Sequence, residues 1–112
     1  MKVRSKKDGK MWTHNVSPSE ITMAEQDADY TLVRLSDGKT LRTHGTLDAF
    51  NEAVPEMIRV NRSYLVNPKQ VAAHSTDAEN GRLNFLFRNG SILTIGRPQN
   101  QKGLIAKLEE AW

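Results

Sequence analysis

The sequence predicts a mainly β domain with two short α-helices. Two dipeptides typical of hairpin turns, Asp37-Gly38 and Asn89-Gly90, each separate a pair of short runs rich in apolar residues. Only two segments, one in the middle of the chain and one at its end, have the apolar spacing that a helix needs. Short strands joined by tight turns therefore outnumber the helices, which is the pattern of a mainly β domain.

The composition is that of one folded domain. The chain has 112 residues, of which 38% are hydrophobic and 26% charged, so it can form a core and is unlike a disordered chain. It has no cysteine, which excludes disulfides and thiolate metal sites and agrees with a cytoplasmic location. No apolar run is long enough to span a bilayer, so no membrane segment is expected.

The net charge of +3 is unevenly distributed. Bases outnumber acids by five to one in residues 1–10 and by eight to five from residue 55 onward. Acids outnumber bases by seven to three in residues 11–54. The two basic parts suit a polyanionic partner, although many proteins without such a partner share this pattern.

The first elements are a tail and a helical turn. Residues 1–10 show no apolar periodicity and are predicted to be a solvated basic tail or the stub of a linker, so that the domain covers residues 11–112. The capping-box sequence Ser17-Pro18-Ser19-Glu20 predicts one short helical turn before Ile21–Ala24.

The two predicted hairpins follow. In the first, which joins Tyr30–Leu35 to Lys39–His44, a two-residue turn would pair Leu35 with Thr40. A three-residue loop that pairs Leu35 with Leu41 keeps apolar residues together and is preferred.

The second hairpin joins Arg82–Arg88 to Ser91–Ile95. A two-residue turn there pairs Phe87 with Ile92, and Leu86 with Leu93. Both faces of this ribbon are then partly apolar, so we expect it to be covered on two sides.

The two predicted helices have recognisable ends and inner faces. Thr46 caps the first helix and Pro55 ends it. The apolar residues of its inner face are Leu47, Phe50 and Val54. The apolar residues on one face of the final helix are Leu104, Ile105, Leu108 and Trp112.

The segment Arg59–Asn67 carries the first candidate site. Arg59, Asn61 and Arg62 stand where the alternating run before them breaks off, followed by an apolar anchor. Arginine and asparagine are the residues that bind the edges of guanine and adenine through two hydrogen bonds. A solvated turn is the ordinary interpretation of such residues, so the residues alone leave both interpretations open.

Two further segments are weaker candidates. Arg97 follows a predicted strand, and Gln99, Asn100 and Lys102 come next, at the start of a helix where phosphates can bind. A polar cluster that merely caps the helix would look the same. The acidic stretch Glu25–Asp29 is predicted to be mostly a solvated loop before a strand, because carboxylates repel DNA.

Nothing in the sequence indicates catalysis. The three histidines lie thirty residues apart, and the chain lacks a glycine-rich phosphate loop and a serine in a nucleophile-elbow motif. We therefore expect no enzyme activity, no cofactor and no metal site.

The segment Arg59–Asn67 resembles the signature of the LytTR family of bacterial DNA-binding domains, written R-x-H-R-S-hydrophobic-x-V-N. The other family cues occur in the same order over roughly residues 16–108. They are Ser17–Met23, Asp37-Gly38, Gly45-Thr46-Leu47, Val54-Pro55, Asn89-Gly90 and Ile95-Gly96-Arg97.

The resemblance implies a fold and a function. The fold is an elongated stack of short antiparallel sheets whose loops enter successive major grooves of double-stranded DNA. The function is that of a bacterial transcription regulator, usually the output domain of a response regulator that binds paired sites as a homodimer. A chain of 112 residues has no room for a receiver domain, so either an N-terminal regulatory domain is missing or the protein stands alone.

The resemblance also implies roles for individual residues. Arg62 and Arg97 would contact bases, and the loop at Asp29 and Tyr30 would make a third contact. Phosphates would be held by Arg59, Ser63 and Lys102. Asn61 stands where the family more often has histidine, and Asp29 stands where it often has asparagine or histidine, which puts the base contact of that loop in doubt.

Two other functions remain open at this stage. A single-stranded nucleic-acid-binding β domain would need exposed aromatic side chains on a sheet, but the chain has only seven aromatics and most fit core positions. A protein-interaction module would make Arg62 and Arg97 individually dispensable.

Overall fold

The computed structural model describes residues 1–112 and has ten strands and two α-helices. The first five strands are β1 (Lys2–Lys7), β2 (Lys10–Asn15), β3 (Ile21–Asp27), β4 (Tyr30–Leu35) and β5 (Thr40–His44). The other five are β6 (Ile58–Arg59), β7 (Tyr64–Val66), β8 (Val71–Thr76), β9 (Leu83–Phe87) and β10 (Ile92–Ile95). The helices are α1 (Leu47–Ala53) and α2 (Gln101–Glu110).

The strands form three antiparallel sheets. The central sheet has the order β5-β4-β3-β7-β6, a smaller sheet has the order β10-β9-β8, and β1 pairs only with β2. The molecule measures 46 × 25 × 23 Å. This arrangement confirms the predicted mainly β fold, an elongated stack of short antiparallel sheets with two short helices.

The central sheet separates two hydrophobic cores because its side chains alternate between its faces. On β3, Ala24 packs into the first core with α1 and the β1–β2 hairpin, whereas Met23 packs into the second core with the small sheet and α2. On β7, Leu65 and Val66 divide in the same way. The β1–β2 hairpin with α1 and the small sheet with α2 therefore pack on opposite faces of the central sheet.

Residues 1–10 are not a solvated tail, contrary to the sequence-based expectation. They form β1, the turn Asp8-Gly9 and the start of β2, and Val3 is buried in the first core. Both turn residues have positive φ, 54° at Asp8 and 75° at Gly9, as a type I′ hairpin turn requires. Asp8-Gly9 is the same dipeptide as Asp37-Gly38, from which the other hairpin was predicted. The lysines on both sides of Asp8-Gly9 led instead to the prediction of a basic tail.

The first predicted hairpin has the expected loop length but a different register. The amide of Leu35 donates to the carbonyl of Lys39 across a three-residue loop. Val33 lies opposite Leu41, so apolar residues are paired, but the predicted pair of Leu35 with Leu41 is wrong, because a three-residue loop places Leu35 opposite Lys39.

The second hairpin also has a three-residue loop, not the predicted two-residue turn. Phe85 lies opposite Leu93 and both are buried, whereas Leu86 lies opposite Ile92 and both are exposed. The predicted pairs were shifted by one residue, and the expected covering of both faces is wrong. The physical reason is that a two-residue type I′ turn needs positive φ at both Asn89 and Gly90, whereas only Gly90, with a φ of 90°, has it, as in a three-residue loop.

The predicted helix ends are confirmed. The Oγ1 atom of Thr46 accepts a hydrogen bond from the amide of Ala49, and α1 ends before Pro55. Leu108 is buried in the second core, but Trp112 lies beyond α2 and is 53% exposed, so it does not belong to the inner face. Neither helix is long and apolar enough to cross a membrane.

Candidate nucleic-acid interface

The turn between β6 and β7 is shaped by Asn61. Its Oδ1 atom accepts hydrogen bonds from the amides of Ser63 and Tyr64, at 2.8 and 2.9 Å. Asparagine commonly stabilises turns by bonding backbone amides in this way. Since its oxygen is occupied, Asn61 has only its Nδ2 atom free for a ligand and cannot form the two-bond contact with adenine in this conformation.

The guanidinium of Arg59 is engaged within the protein. Its Nη1 atom bonds the Asp48 carboxylate at the start of α1, and its Nε and Nη2 atoms donate to the carbonyls of Asn61 and Arg62, each at 2.7 Å. Arg59 thus ties the turn to α1 and fixes the backbone on both sides of Arg62. The sequence-based expectation gave Arg59 a phosphate contact, whereas its donors point to groups inside the chain.

Arg62 stands at the tip of this turn. Its side chain is exposed and takes part in no hydrogen bond or ion pair within the chain, although its carbonyl is bonded to Arg59. The following residue, Ser63, is half-buried, and its carbonyl accepts from the amide of Gln26 on β3. The turn is therefore rigid in its backbone and free at the Arg62 guanidinium.

The second candidate segment follows β10. The aliphatic part of Arg97 crosses Gly81, where a Cβ atom would lie 3.0 Å from Arg97 Cδ. Gly81 also has a φ of 72°, so both its conformation and its lack of a side chain allow this crossing. Gly81 was not a candidate in the sequence, because Arg97 is sixteen residues away along the chain.

Asn100 caps α2, since its Oδ1 atom accepts from the amide of Gly103 at 3.1 Å. The capping interpretation therefore applies to Asn100, whereas Gln99 is exposed and engaged in no hydrogen bond. Lys102 is also exposed, on a different side of the helix from Asn100 and Gly103.

The structure brings the two segments together in one open groove of about 800 Å³. Its walls are residues 59–62 from the central sheet, and residues 96–100 with one face of α2. Four cationic residues and no acidic residue line it: Arg59, Arg62, Arg97 and Lys107. Lys107 was missed in the sequence, although positions 100, 103, 104 and 107 share one helical face. Ser63, Lys102, Asp29 and Tyr30 do not line the groove.

The third candidate loop is the turn between β3 and β4. Glu25, Gln26 and Asp27 belong to β3, so the expectation that residues 25–29 form a loop is wrong for these three. Asp29 is exposed in the two-residue turn, next to Ala28 with a φ of 53°. Strand pairing between β3 and β4 extends to Asp27, which pairs with Tyr30.

Gln26 connects this third loop to the signature turn. Its side-chain Nε2 atom donates to the carbonyls of Ala28 and Tyr30, and its Oε1 atom accepts from the backbone amide of Leu47. The backbone amide of Gln26 donates to the carbonyl of Ser63. The two turns and the start of α1 consequently lie at the same end of the central sheet. The Tyr30 ring is contacted by the Arg42 guanidinium, 3.9 Å from its centroid.

A hydrogen-bonded pair lies behind the signature turn. The Tyr64 hydroxyl donates to Glu25 at 3.2 Å, and Glu25 also pairs with Arg34. Burial raises the pKa of Tyr64 above its usual 10.0, and the Glu25 carboxylate raises it further. The hydroxyl therefore stays protonated at alkaline pH while the protein is folded.

This raised pKa predicts a loss of stability at high pH. The unfolded phenol ionises at its ordinary pKa, so the contribution of Tyr64 to stability is present below pH 10.0 and is lost as the pH rises through the higher folded value. In urea unfolding, the free energy should fall more for the wild type than for Tyr64→Phe between about pH 9 and about pH 11. Equal falls would contradict the assignment.

Comparisons with known proteins agree with this geometry. Residues 12–108 match the LytTr DNA-binding domain family. Among solved structures, the chain superposes with a TM-score of 0.74 on the LytTr DNA-binding domain of a protein from Bacillus cereus described as a methyl-accepting/DNA response regulator. The identity is 22%, and the match covers 96% of this chain and 95% of the other, which shows a shared fold. No curated protein matches the sequence significantly. Since the family match spans most of the chain, the protein belongs to the LytTR family of DNA-binding domains.

Proposed function

We propose that this protein binds double-stranded DNA in a sequence-specific way as part of a bacterial transcription regulator. The observation that carries the proposal is the cationic groove, in which residues 59–62 and 96–100 meet although they are far apart in the sequence. A groove that is lined by arginine and lysine side chains and by no acidic side chain attracts the phosphate backbone of DNA. Two of its arginines are exposed and can also enter the major groove.

Arg62 and Arg97 are the proposed base contacts. Each presents a guanidinium without a hydrogen-bonding partner in the chain, and Arg59 holds the backbone of Arg62 whereas Gly81 is crossed by the side chain of Arg97. The two-bond contact of arginine with guanine is worth about 1–3 kcal/mol of discrimination against other bases. Arg59 acts as a positioning residue in this mechanism, because its Nε and Nη2 atoms hold the turn that carries Arg62 and its Nη1 atom bonds Asp48.

The phosphate contacts are proposed for groups around the two arginines. Lys107 and Gln99 line the groove, and Ser63 and Lys102 are each next in sequence to a residue that lines it. Such contacts fix the register of a protein on DNA without reading sequence. Asn61 contributes at most its Nδ2 donor, and Asn100 acts through the helix end that it caps.

A further part of the proposal is the assembly. In this arrangement two copies bind two half-sites that lie a whole number of helical turns apart, which places both copies on one face of the duplex. An N-terminal regulatory domain would control that pairing. A footprint that covers two half-sites at saturation would support the paired arrangement.

Selection of duplexes from a randomised pool tests the proposal. We expect the wild type to enrich a short element that contains guanine, and Arg62→Ala to relax the preference at one position with a loss of about tenfold in affinity. Repeating the selection at two salt concentrations separates base contacts from phosphate contacts, because a lost phosphate contact makes the salt dependence shallower.

Arg88→Ala is the matched control for this experiment. Arg88 lies at the end of β9 farther from the groove, where its Nε atom donates to the carbonyl of Lys69. Its removal lowers the net charge by the same amount but should leave the selected element unchanged. Absence of enrichment by the wild type at either salt concentration would overturn the DNA proposal and favour a protein-interaction module.

A further inference from the structure

We propose that Arg42, stacked on Tyr30, reads a guanine at the edge of the DNA contact surface formed by the turn between β3 and β4. This inference rests on the proposed function. Asp29, the residue of this turn to which the family resemblance directs attention, has an exposed carboxylate. Arg42 lies on β5, the strand next to β4, and can take the place of Asp29 as the group that contacts DNA.

The stacking geometry holds Arg42 in place. The centre of its guanidinium lies 3.9 Å from the centroid of the Tyr30 ring, and the ring itself packs edge-on against His44 at 5.4 Å. A guanidinium on an aromatic face is attracted by the ring electrons and keeps its hydrogen-bonding edges accessible. Because its plane is restricted, less side-chain entropy is lost when the edge binds a ligand.

The donors of Arg42 are free. Its side chain is exposed and takes part in no hydrogen bond or ion pair within the chain. Arg34, which is also exposed and comes from the adjacent strand β4, is paired with Glu25 and Thr40. Arg42 is therefore the arginine of this face of the central sheet that is available to a partner.

The position of Arg42 fits the same DNA surface as Arg62. Tyr30 lies opposite His44 on β5 and opposite Asp27 on β3, and β3 continues the sheet to the signature turn. Three strand spacings separate β5 from β7, which is about 14 Å. That distance corresponds to about four base-pair steps along a duplex.

Local charge favours a base over a phosphate as the ligand. Asp27 and Asp29 are both exposed beside Tyr30, and neither is paired with a cation. Two free carboxylates repel a phosphate that approaches this turn. The edge of a guanine carries no net charge and presents two acceptors that match the guanidinium.

Four variants test the inference by the same selection of duplexes. Arg42→Ala should weaken binding of the selected element about tenfold and relax one guanine position, about four base pairs from the position that depends on Arg62. Arg42→Lys keeps the charge but loses the planar edge, so it should not restore the preference. Tyr30→Leu should resemble Arg42→Ala, whereas Tyr30→Phe keeps the ring and should resemble the wild type.

The outcomes separate this inference from the proposed function. If Arg42→Ala selects the wild-type element with unchanged affinity while Arg62→Ala does not, the inference is wrong and the proposed function stands. A uniform loss of affinity with a shallower salt dependence would make Arg42 a phosphate contact and overturn base reading. If the wild type itself enriches nothing, both fail. Arg34→Ala is the control for charge, and thermal melting of each variant verifies folding.

Discussion

Asn67→Asp is expected to lower the free energy of unfolding by about 3 kcal/mol or more. Asn67 is the last residue of the signature segment and is only 3% exposed. Its Nδ2 atom donates to the carbonyls of Ile21 and Pro18, at 2.7 and 3.2 Å, and its Oδ1 atom accepts from the amide of Lys69. In the Asn67→Asp variant a buried carboxylate oxygen would point at the carbonyl oxygens of Ile21 and Pro18. Each carbonyl would lose the hydrogen bond that the Nδ2 atom now donates.

Urea unfolding at neutral pH measures this effect. Asn80→Asp is a suitable control, because Asn80 is exposed and uses only its Oδ1 atom, which accepts from the amide of Arg82. A carboxylate can accept the same bond, so the control should change stability by less than about 0.5 kcal/mol. Similar losses in the two variants would show that the buried amide of Asn67 is not required.

Phe85→Ala is expected to cost about 3–5 kcal/mol, because it leaves a cavity in the second core. Phe85 is completely buried on β9, the middle strand of the small sheet, and lies opposite Leu93. The neighbouring Leu86 points to the other face and is 39% exposed. Leu86→Ala should therefore cost no more than about 1 kcal/mol.

The comparison of these two variants also tests the strand register. In the register that pairs Leu86 with Leu93, Leu86 would face the core, and its truncation would cost about 2–5 kcal/mol. Thermal or urea unfolding of the two single variants distinguishes these arrangements. A large loss for Leu86→Ala would contradict the three-residue loop around Gly90.

Local cues in the sequence predicted most of the elements. The Asp-Gly and Asn-Gly turns marked two hairpins, and the cap at Thr46 with Pro55 marked α1. Strand register was not predictable in the same way, because an Asn-Gly pair can close a two-residue loop, with both residues at positive φ, or a three-residue loop, with only the glycine at positive φ, as at Gly90. The hairpin of residues 2–15 was missed because charged residues dominate it.

The candidate site was predictable only in part, for a related reason. Arg62 and Arg97 were recognised from their positions after predicted strands, and both line the groove. Gly81 comes next to Arg97 through the pairing of β9 with β10, and Lys107 comes to face Arg62 only when the small sheet and α2 pack on the central sheet. The partners of Arg59 are backbone carbonyls and a helix carboxylate, and no residue pattern reveals such bonds.

The division of the groove between two separately packed bodies has a consequence for how such a domain can change its target. Arg62 is carried by the central sheet, whereas Arg97 is carried by the small sheet. Polar contacts far from both arginines help to align the two sheets, such as the hydrogen bonds from Asn89 to Ser36 and from Gln70 to Ser19. Substitutions at these contacts can alter the spacing between the two proposed base contacts. If both arginines contact bases as proposed, the length of the bound target can thus change while the two arginines stay the same.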